Sequence, residues 1–241
     1  MNHLTLILEQ VAAFCAQRAV SAWLVGGSLR DLLLGRVPHD LDIAVDGDGT
    51  ALARAFADEL GGAFVALDDA RATARVVLPA AEGEARPFVD FARLRGATIA
   101  QDLAARDFTL NALALPLFEN SGFRIQDSEV AARLIDPLGG LADLRAGLLR
   151  PCSSTSIADD PLRMLRALRL AAQLDLAIDL ELDQQIRAGA ATIQRVAGER
   201  VRDELLKLLD TPHAARWLRY LDGTRVLTAI IPELEAGRDC E

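Results

Sequence analysis

The sequence predicts an α+β fold: a mixed antiparallel/parallel sheet with flanking helices over residues 1–137, then an all-helical segment over 138–241. Three observations carry that expectation. Through the first 125 or so residues, strand-like and helix-like segments alternate; beyond about residue 138 the apolar spacing turns to the 3.6 period of helices. Third, 241 residues, 51% of them hydrophobic, suffice for one large core or two smaller ones, and no repeat or low-complexity linker interrupts them.

In chain order, residues 4–18 have the apolar spacing of an amphipathic helix; with an acidic residue and no basic start, they do not read as a signal peptide. Strand candidates are 22–25, 41–45, 63–67, 74–79 and 86–92, with a hairpin of 113–118 and 123–126 across Asn120-Ser121-Gly122. A helix at 28–34 is expected from Ser28 as N-cap, Asp31 three residues on and Gly35 as stop. Another at 50–60 has Asp48 or Thr50 as cap and Gly61-Gly62 as stop. The second part offers helices at 139–146, 160–174, 179–190, 198–209, 212–221 and 224–230.

Composition excludes several classes. The net charge is −9, so bulk charge does not mark a nucleic-acid-binding surface; any such surface is local. Lys207 is the only lysine, which removes the P-loop and the protein-kinase arrangement, and no G-x-G-x-x-G run is present. Cys15, Cys152 and Cys240 are too far apart for a C-x-x-C site and suit a reducing cytoplasm. No apolar run has the length of a membrane span. His3, His39 and His213 are scattered, and Asp46-Gly-Asp48-Gly reads as a turn and helix cap.

The chemistry is concentrated in LVGGSLRDLLLGRVPHDLDIAV, residues 24–45. In a strand, Asp40 and Asp42 project to one face while Leu41 and Ile43 face the other. Adjacent carboxylates repel unless a cation lies between them or one is protonated, and Mg²⁺ favours such oxygen donors. An isolated D-x-D is more often a turn or a surface pair. Upstream, Gly26-Gly27-Ser28 joins a strand to a helix, where backbone N–H groups favour phosphate oxygens; a plain tight turn explains the same glycines. Asp90 lies in another strand-like run. It completes a three-carboxylate cluster if that strand neighbours 41–45, and is otherwise an exposed edge position.

Together these segments resemble the class II tRNA nucleotidyltransferase (CCA-adding enzyme) and bacterial poly(A) polymerase family, within the polymerase-β-like nucleotidyltransferases. GGSLRDLLLGRVPHDLDIAV resembles its first motif, and RDFTLNALAL (106–115) its R-R-D-x-T-x-N-A motif. DPLGGLADL (136–144), DDPLRMLRALRLAAQL (159–174) and ERVRDELLKLL (199–209) resemble the motifs that follow, in the same order. The pattern departs at Ala105, where the family has Arg, and at Asp159, where it usually has Glu.

The resemblance implies a polymerase-β-like catalytic head over 1–137 and a helical neck with the start of a body over 138–241. It implies Asp40 and Asp42 as metal ligands for two Mg²⁺ ions, with Asp90 as third catalytic acid. It implies triphosphate binding at Gly26, Gly27, Ser28, Arg30 and Arg106, and ribose contact at Asp107. Asp160 and Arg163 match the pair that reads the base, with Arg166 and Arg169 supporting. Helical spacing puts these four on one polar stripe beside Leu162, Leu165 and Leu168, a pattern that an exposed salt-bridged helix would also show. The implied partners are CTP, ATP and RNA, foremost the tRNA 3′ end, with no membrane. Addition of C and/or A to tRNA is the expected activity. The alternatives are a poly(A) polymerase using ATP only, and a nucleotide- or RNA-binding fragment of a longer enzyme.

Overall fold

The computed structural model describes residues 3–80, 86–117 and 132–237. The chain forms two compact units: Met1–Arg106 with Leu110–Gly140, and Asp107–Thr109 with Leu141–Glu241.

The first unit is built on six strands: β1 (Ala22–Val25), β2 (Asp40–Val45), β3 (Ala63–Asp68), β4 (Thr73–Val77), β5 (Phe88–Arg93) and β6 (Ala114–Leu117). Their order is β3-β4-β5-β2-β1-β6. The β2–β5 pair is parallel and every other pair is antiparallel, so the sheet is mixed, as expected. The partner strand expected at 123–126 lies outside the described residues; β6 pairs with β1, and Ala114 exchanges backbone hydrogen bonds with Ile135.

Alternation in β2 and β5 sends Leu41, Ile43, Val89 and Phe91 into the core. Helices α1 (His3–Ala16) and α3 (Gly49–Leu60) cover that side. Phe56 meets Phe14 and Phe91 edge to face, with ring centroids 5.0 and 5.4 Å apart. Helix α3 starts and stops as its sequence predicts. The Asp48 carboxylate accepts from the Thr50 and Ala51 N–H groups, and Gly61 ends the helix in the left-handed region.

Helix α2 (Gly26–Leu33) departs from expectation. It begins two residues before Ser28, directly from β1, and Ser28 does not cap it. The Ser28 hydroxyl lies inside the first turn, donating to the Val25 carbonyl at 2.9 Å and accepting from Asp42 N–H at 3.0 Å. Asp31 bonds Arg30 and so closes no capping box. A further helix, α4 (Ile99–Ala104), was not expected, although its signal is present: Thr98 accepts from Gln101 N–H, and Gln101 Oε1 accepts from Ala97 N–H.

The second unit is mainly helical: α5 (Gly140–Ala146), α6 (Ser156–Asp159), α7 (Arg163–Leu174), α8 (Leu180–Gly189), α9 (Gly198–Leu209), α10 (Ala214–Gly223) and α11 (Val226–Ile230). One exception to the all-helical expectation is a two-residue parallel pairing of Leu148–Leu149 with Ala177–Ile178. Helix α7 buries Met164, Leu165, Ala167, Leu168, Leu170 and Ala171, so the leucines beside the polar stripe pack as their spacing predicts. The 107–109 segment is tied to this unit by its backbone. Thr109 N–H donates to the Arg150 carbonyl at 3.0 Å, and Cys152 N–H to the Asp107 carbonyl at 3.2 Å.

Phe56 is 1% exposed and links α1 to the sheet. Phe56→Ala is expected to lower the stability of the chain by about 3–5 kcal/mol in urea unfolding, the usual cost of emptying a core phenylalanine site.

Candidate active site

The parallel register of β2 and β5 pairs Asp40 with Phe88 and Asp42 with Asp90. Residues two apart share a strand face, so Asp40, Asp42 and Asp90 converge on the side opposite Leu41 and Val89. One carboxylate oxygen from each lies within 4.8 Å of the others. The condition attached to Asp90, that its strand neighbour β2, is met. Three hard oxygen donors at this spacing suit a divalent cation, and the set contains no soft ligand.

A fourth residue belongs to the same row. The antiparallel register of β4 and β5 puts Arg75 beside Asp90. Its Nε and Nη2 donate to the two Asp90 oxygens, both at 2.7 Å, and Nη2 also reaches Asp40 Oδ2 at 3.3 Å. Sequence reasoning missed Arg75. The alternation in TARVV marks it as facing away from the core, but the strand order that sets it against Asp90 cannot be read from local pattern.

Asp42 sits deepest against the turn, with Ser28 N–H and hydroxyl both at 3.4 Å from its Oδ2. Burial pushes its carboxyl up to about 6, and the neighbouring Asp40 charge pushes the same way. A bond from Ser28 N–H, at 3.4 Å, and the positive field of Arg106 act in the opposite direction. Gly26 makes this approach possible. Its φ is +68°, and a Cβ there would lie 2.8 Å from Asp42 Oδ2 and 3.2 Å from Arg106 Nη1. The turn thus needs glycine twice over, for conformation and for space. Gly27 is under weaker constraint: a Cβ would meet the Arg30 guanidinium no closer than 3.5 Å.

The remaining candidates fall into two groups. In the first unit, Arg106 bonds the buried Asp102 through Nε and Nη2 at 2.9 and 2.8 Å. Arg30 is 8% exposed and anchored on Asn111 Oδ1 at 2.8 Å and on Asp31. In the second unit, Asp107 accepts from its neighbour Phe108 N–H at 2.9 Å and pairs with Arg166 at 2.8 Å. Asp160 stands in extended backbone before α7, accepting from Leu162 N–H at 3.1 Å and pairing with Arg200 at 3.0 Å. Arg163 donates to the Ser156 hydroxyl and carbonyl at 3.0 and 3.3 Å, and Arg169 pairs with Glu204. Arg200 and Glu204, both in the 199–209 motif, are partners that sequence reasoning did not assign.

The family model for the poly(A) polymerase head domain matches residues 22–150, which carry all three aspartates and the Gly26 turn. The chain belongs to that family. A second model, described as a probable RNA- and SrmB-binding site of polymerase A, matches residues 175–237. A CC-adding tRNA nucleotidyltransferase of Geobacter sulfurreducens is 44% identical over 91% of this chain and 47% of its own length. An A-adding tRNA nucleotidyltransferase of Deinococcus radiodurans is 38% identical over 90% of this chain and 46% of its own. The structure of a CCA-adding enzyme with CTP superposes with a TM-score of 0.81 at 30% identity, covering 96% of this chain and 53% of that one. The chain spans about half the length of the curated relatives it matches. No described helix is long and apolar enough to cross a membrane.

The raised Asp42 carboxyl has a consequence for stability. A folded-state value of about 6, above the ordinary value, means that Asp42 holds its proton more often in the metal-free fold than in the unfolded chain between about pH 4 and 6. Stability from this group therefore falls as pH rises through that window. In EDTA at pH 8, Asp42→Asn is expected to be more stable than the parent by on the order of 2 kcal/mol, a difference that vanishes towards pH 4. Equal stability at pH 8, by urea unfolding, would contradict the strained carboxylate.

Proposed function

We propose that this chain is the catalytic head and neck of a template-independent RNA nucleotidyltransferase. It adds C and/or A to tRNA 3′ ends from CTP and ATP, releasing pyrophosphate. The observation that carries the reading is the three-aspartate cluster on β2 and β5, set against the glycine turn that opens α2. The names of the CC-adding and A-adding relatives support the choice of acceptor.

Asp40 and Asp42 would hold Mg²⁺, two ions in the full reading, with Asp90 as the third acid. When bound, the metal lowers the barrier by activating the attacking hydroxyl and neutralising the departing pyrophosphate. The new bond joins the RNA 3′ oxygen to the α-phosphorus, and the bond to the bridging oxygen of pyrophosphate breaks. The chain's own part is positioning and charge. Backbone N–H groups around Gly26–Ser28 and the Arg106 guanidinium would donate to triphosphate oxygens, Ser28 N–H by exchanging its 3.4 Å bond to Asp42 and Arg106 while held by Asp102, and Arg30, anchored on Asn111, holds the helix behind the turn. Asp107 would meet the ribose.

Asp160 and Arg163 would read the base. A carboxylate accepts from an exocyclic amine, and a guanidinium donates to a ring nitrogen or carbonyl. Cytosine and adenine both present amine beside acceptor. Uracil and guanine present the reverse and would leave buried groups unpaired. The pairing of Asp160 with Arg200 and of Arg163 with Ser156 fixes both readers, and Arg166 and Arg169 support them through Asp107 and Glu204. Free thiols at Cys15 and Cys152 support a reducing, cytoplasmic setting.

The test is product mass after incubating the chain with Mg²⁺, tRNA lacking its 3′ end, and CTP or ATP singly. Masses raised by one or two cytidylates, or by one adenylate, are expected. Asp40→Ala and Asp42→Ala should each lower incorporation by on the order of 10³-fold or more with the fold intact by circular dichroism. Long ATP-only tails would assign poly(A) synthesis instead. Full activity in either aspartate variant would reject the site.

A further inference from the structure

Arg75 is a charged side chain that the proposed reaction leaves without a role. It sits in one transverse row with the cluster, Arg75 on β4, Asp90 on β5 and Asp42 on β2. Its two contacts are unequal. The fork to Asp90 is tight and bidentate, both bonds 2.7 Å, and the Asp90 side chain is only 15% exposed. The reach to Asp40 is a single bond of 3.3 Å to a side chain that is 41% exposed. The guanidinium lies over the Phe88 ring, 4.8 Å from its centroid, and His39 stacks on Phe88 at 5.6 Å. Packing and fork together hold Arg75 in place, while its contact with Asp40 is the one that can be surrendered.

Resting on the reading of Asp40, Asp42 and Asp90 as a divalent-metal site, we propose that Arg75 is a positioning residue with two separable effects. Its fork holds Asp90 in the rotamer that faces Asp42, and its charge, lying against Asp40, opposes the incoming cation. The metal-free cluster thus has a resident counter-cation that limits mutual repulsion of the carboxylates. Cation entry releases the Arg75–Asp40 contact and leaves the Arg75–Asp90 fork intact. Only arginine provides both effects, because lysine carries the charge without the planar fork.

Three variants of the full chain separate the effects: Arg75→Ala, Arg75→Gln and Arg75→Lys. Mn²⁺ binding is measured by calorimetry without nucleotide, and kcat and the half-saturating Mg²⁺ concentration in the incorporation assay. Arg75→Ala and Arg75→Gln remove the charge and should bind Mn²⁺ about tenfold more tightly, with half-saturating Mg²⁺ lowered and kcat reduced about tenfold through the loosened Asp90. Arg75→Lys should keep the parent's Mn²⁺ affinity and share the lower kcat. Arg75→Gln keeps a donor toward Asp90 and serves should the alanine variant not fold. If Mn²⁺ affinity is unchanged or weaker in the folded neutral variants, the inference is overturned while the metal site stands. If the parent itself binds no Mn²⁺, both are overturned.

Discussion

Carboxylate repulsion is the constraint around which the first unit is organised. Parallel pairing of β2 with β5 sets Asp42 directly beside Asp90, and the two-residue period of β2 adds Asp40 on the same face. Leu41, Ile43, Val89 and Phe91 hold that register through the opposite, buried face, since a slip of one residue would send the aspartates into the core. The sheet therefore enforces a local concentration of negative charge that water alone would disperse. What surrounds the cluster answers it: Ser28 N–H and the Arg106 field against Asp42, and the Arg75 fork against Asp90. Gly26 is the residue that lets the turn come close enough for the first of these.

The second unit solves a different problem with similar means. Helix α7 buries an apolar stripe, and its arginines are each taken by a defined acceptor: Ser156 for Arg163, Asp107 for Arg166 and Glu204 for Arg169. Such pairing orients long side chains that would otherwise sample many rotamers. On the proposed reading such order matters, because discrimination between bases depends on donors and acceptors held before the base arrives. An acidic chain with a net charge of −9 can therefore still offer local arginine chemistry to a polyanion.

Much of this was legible in the sequence. The D-x-D face, the Asp48 cap, the Gly61 stop and the leucine stripe of α7 follow from period and capping chemistry, which are local. The mixed sheet followed from alternating segments, and the place of Asp90 beside Asp42 followed once β5 was found beside β2. Strand order is non-local, which is why Arg75 stayed hidden despite its outward position in TARVV. Ser28 was misread as a cap because its hydroxyl satisfies Val25 and Asp42 where a capping residue would satisfy helix N–H groups. Helix α4 was overlooked because it is only six residues long, too few for a periodic pattern. Arg200 and Glu204 are partners chosen by packing of α9 on α7, which no spacing rule announces.

The central claim is that the β2–β5 register builds a divalent-cation site from three aspartates. Anomalous diffraction from crystals grown with Mn²⁺ tests it most directly. The account predicts density bridged by the Asp40 and Asp42 carboxylates, with Asp90 still held in the Arg75 fork. Manganese bound elsewhere, with the three aspartates free of metal at saturating concentration, would contradict it.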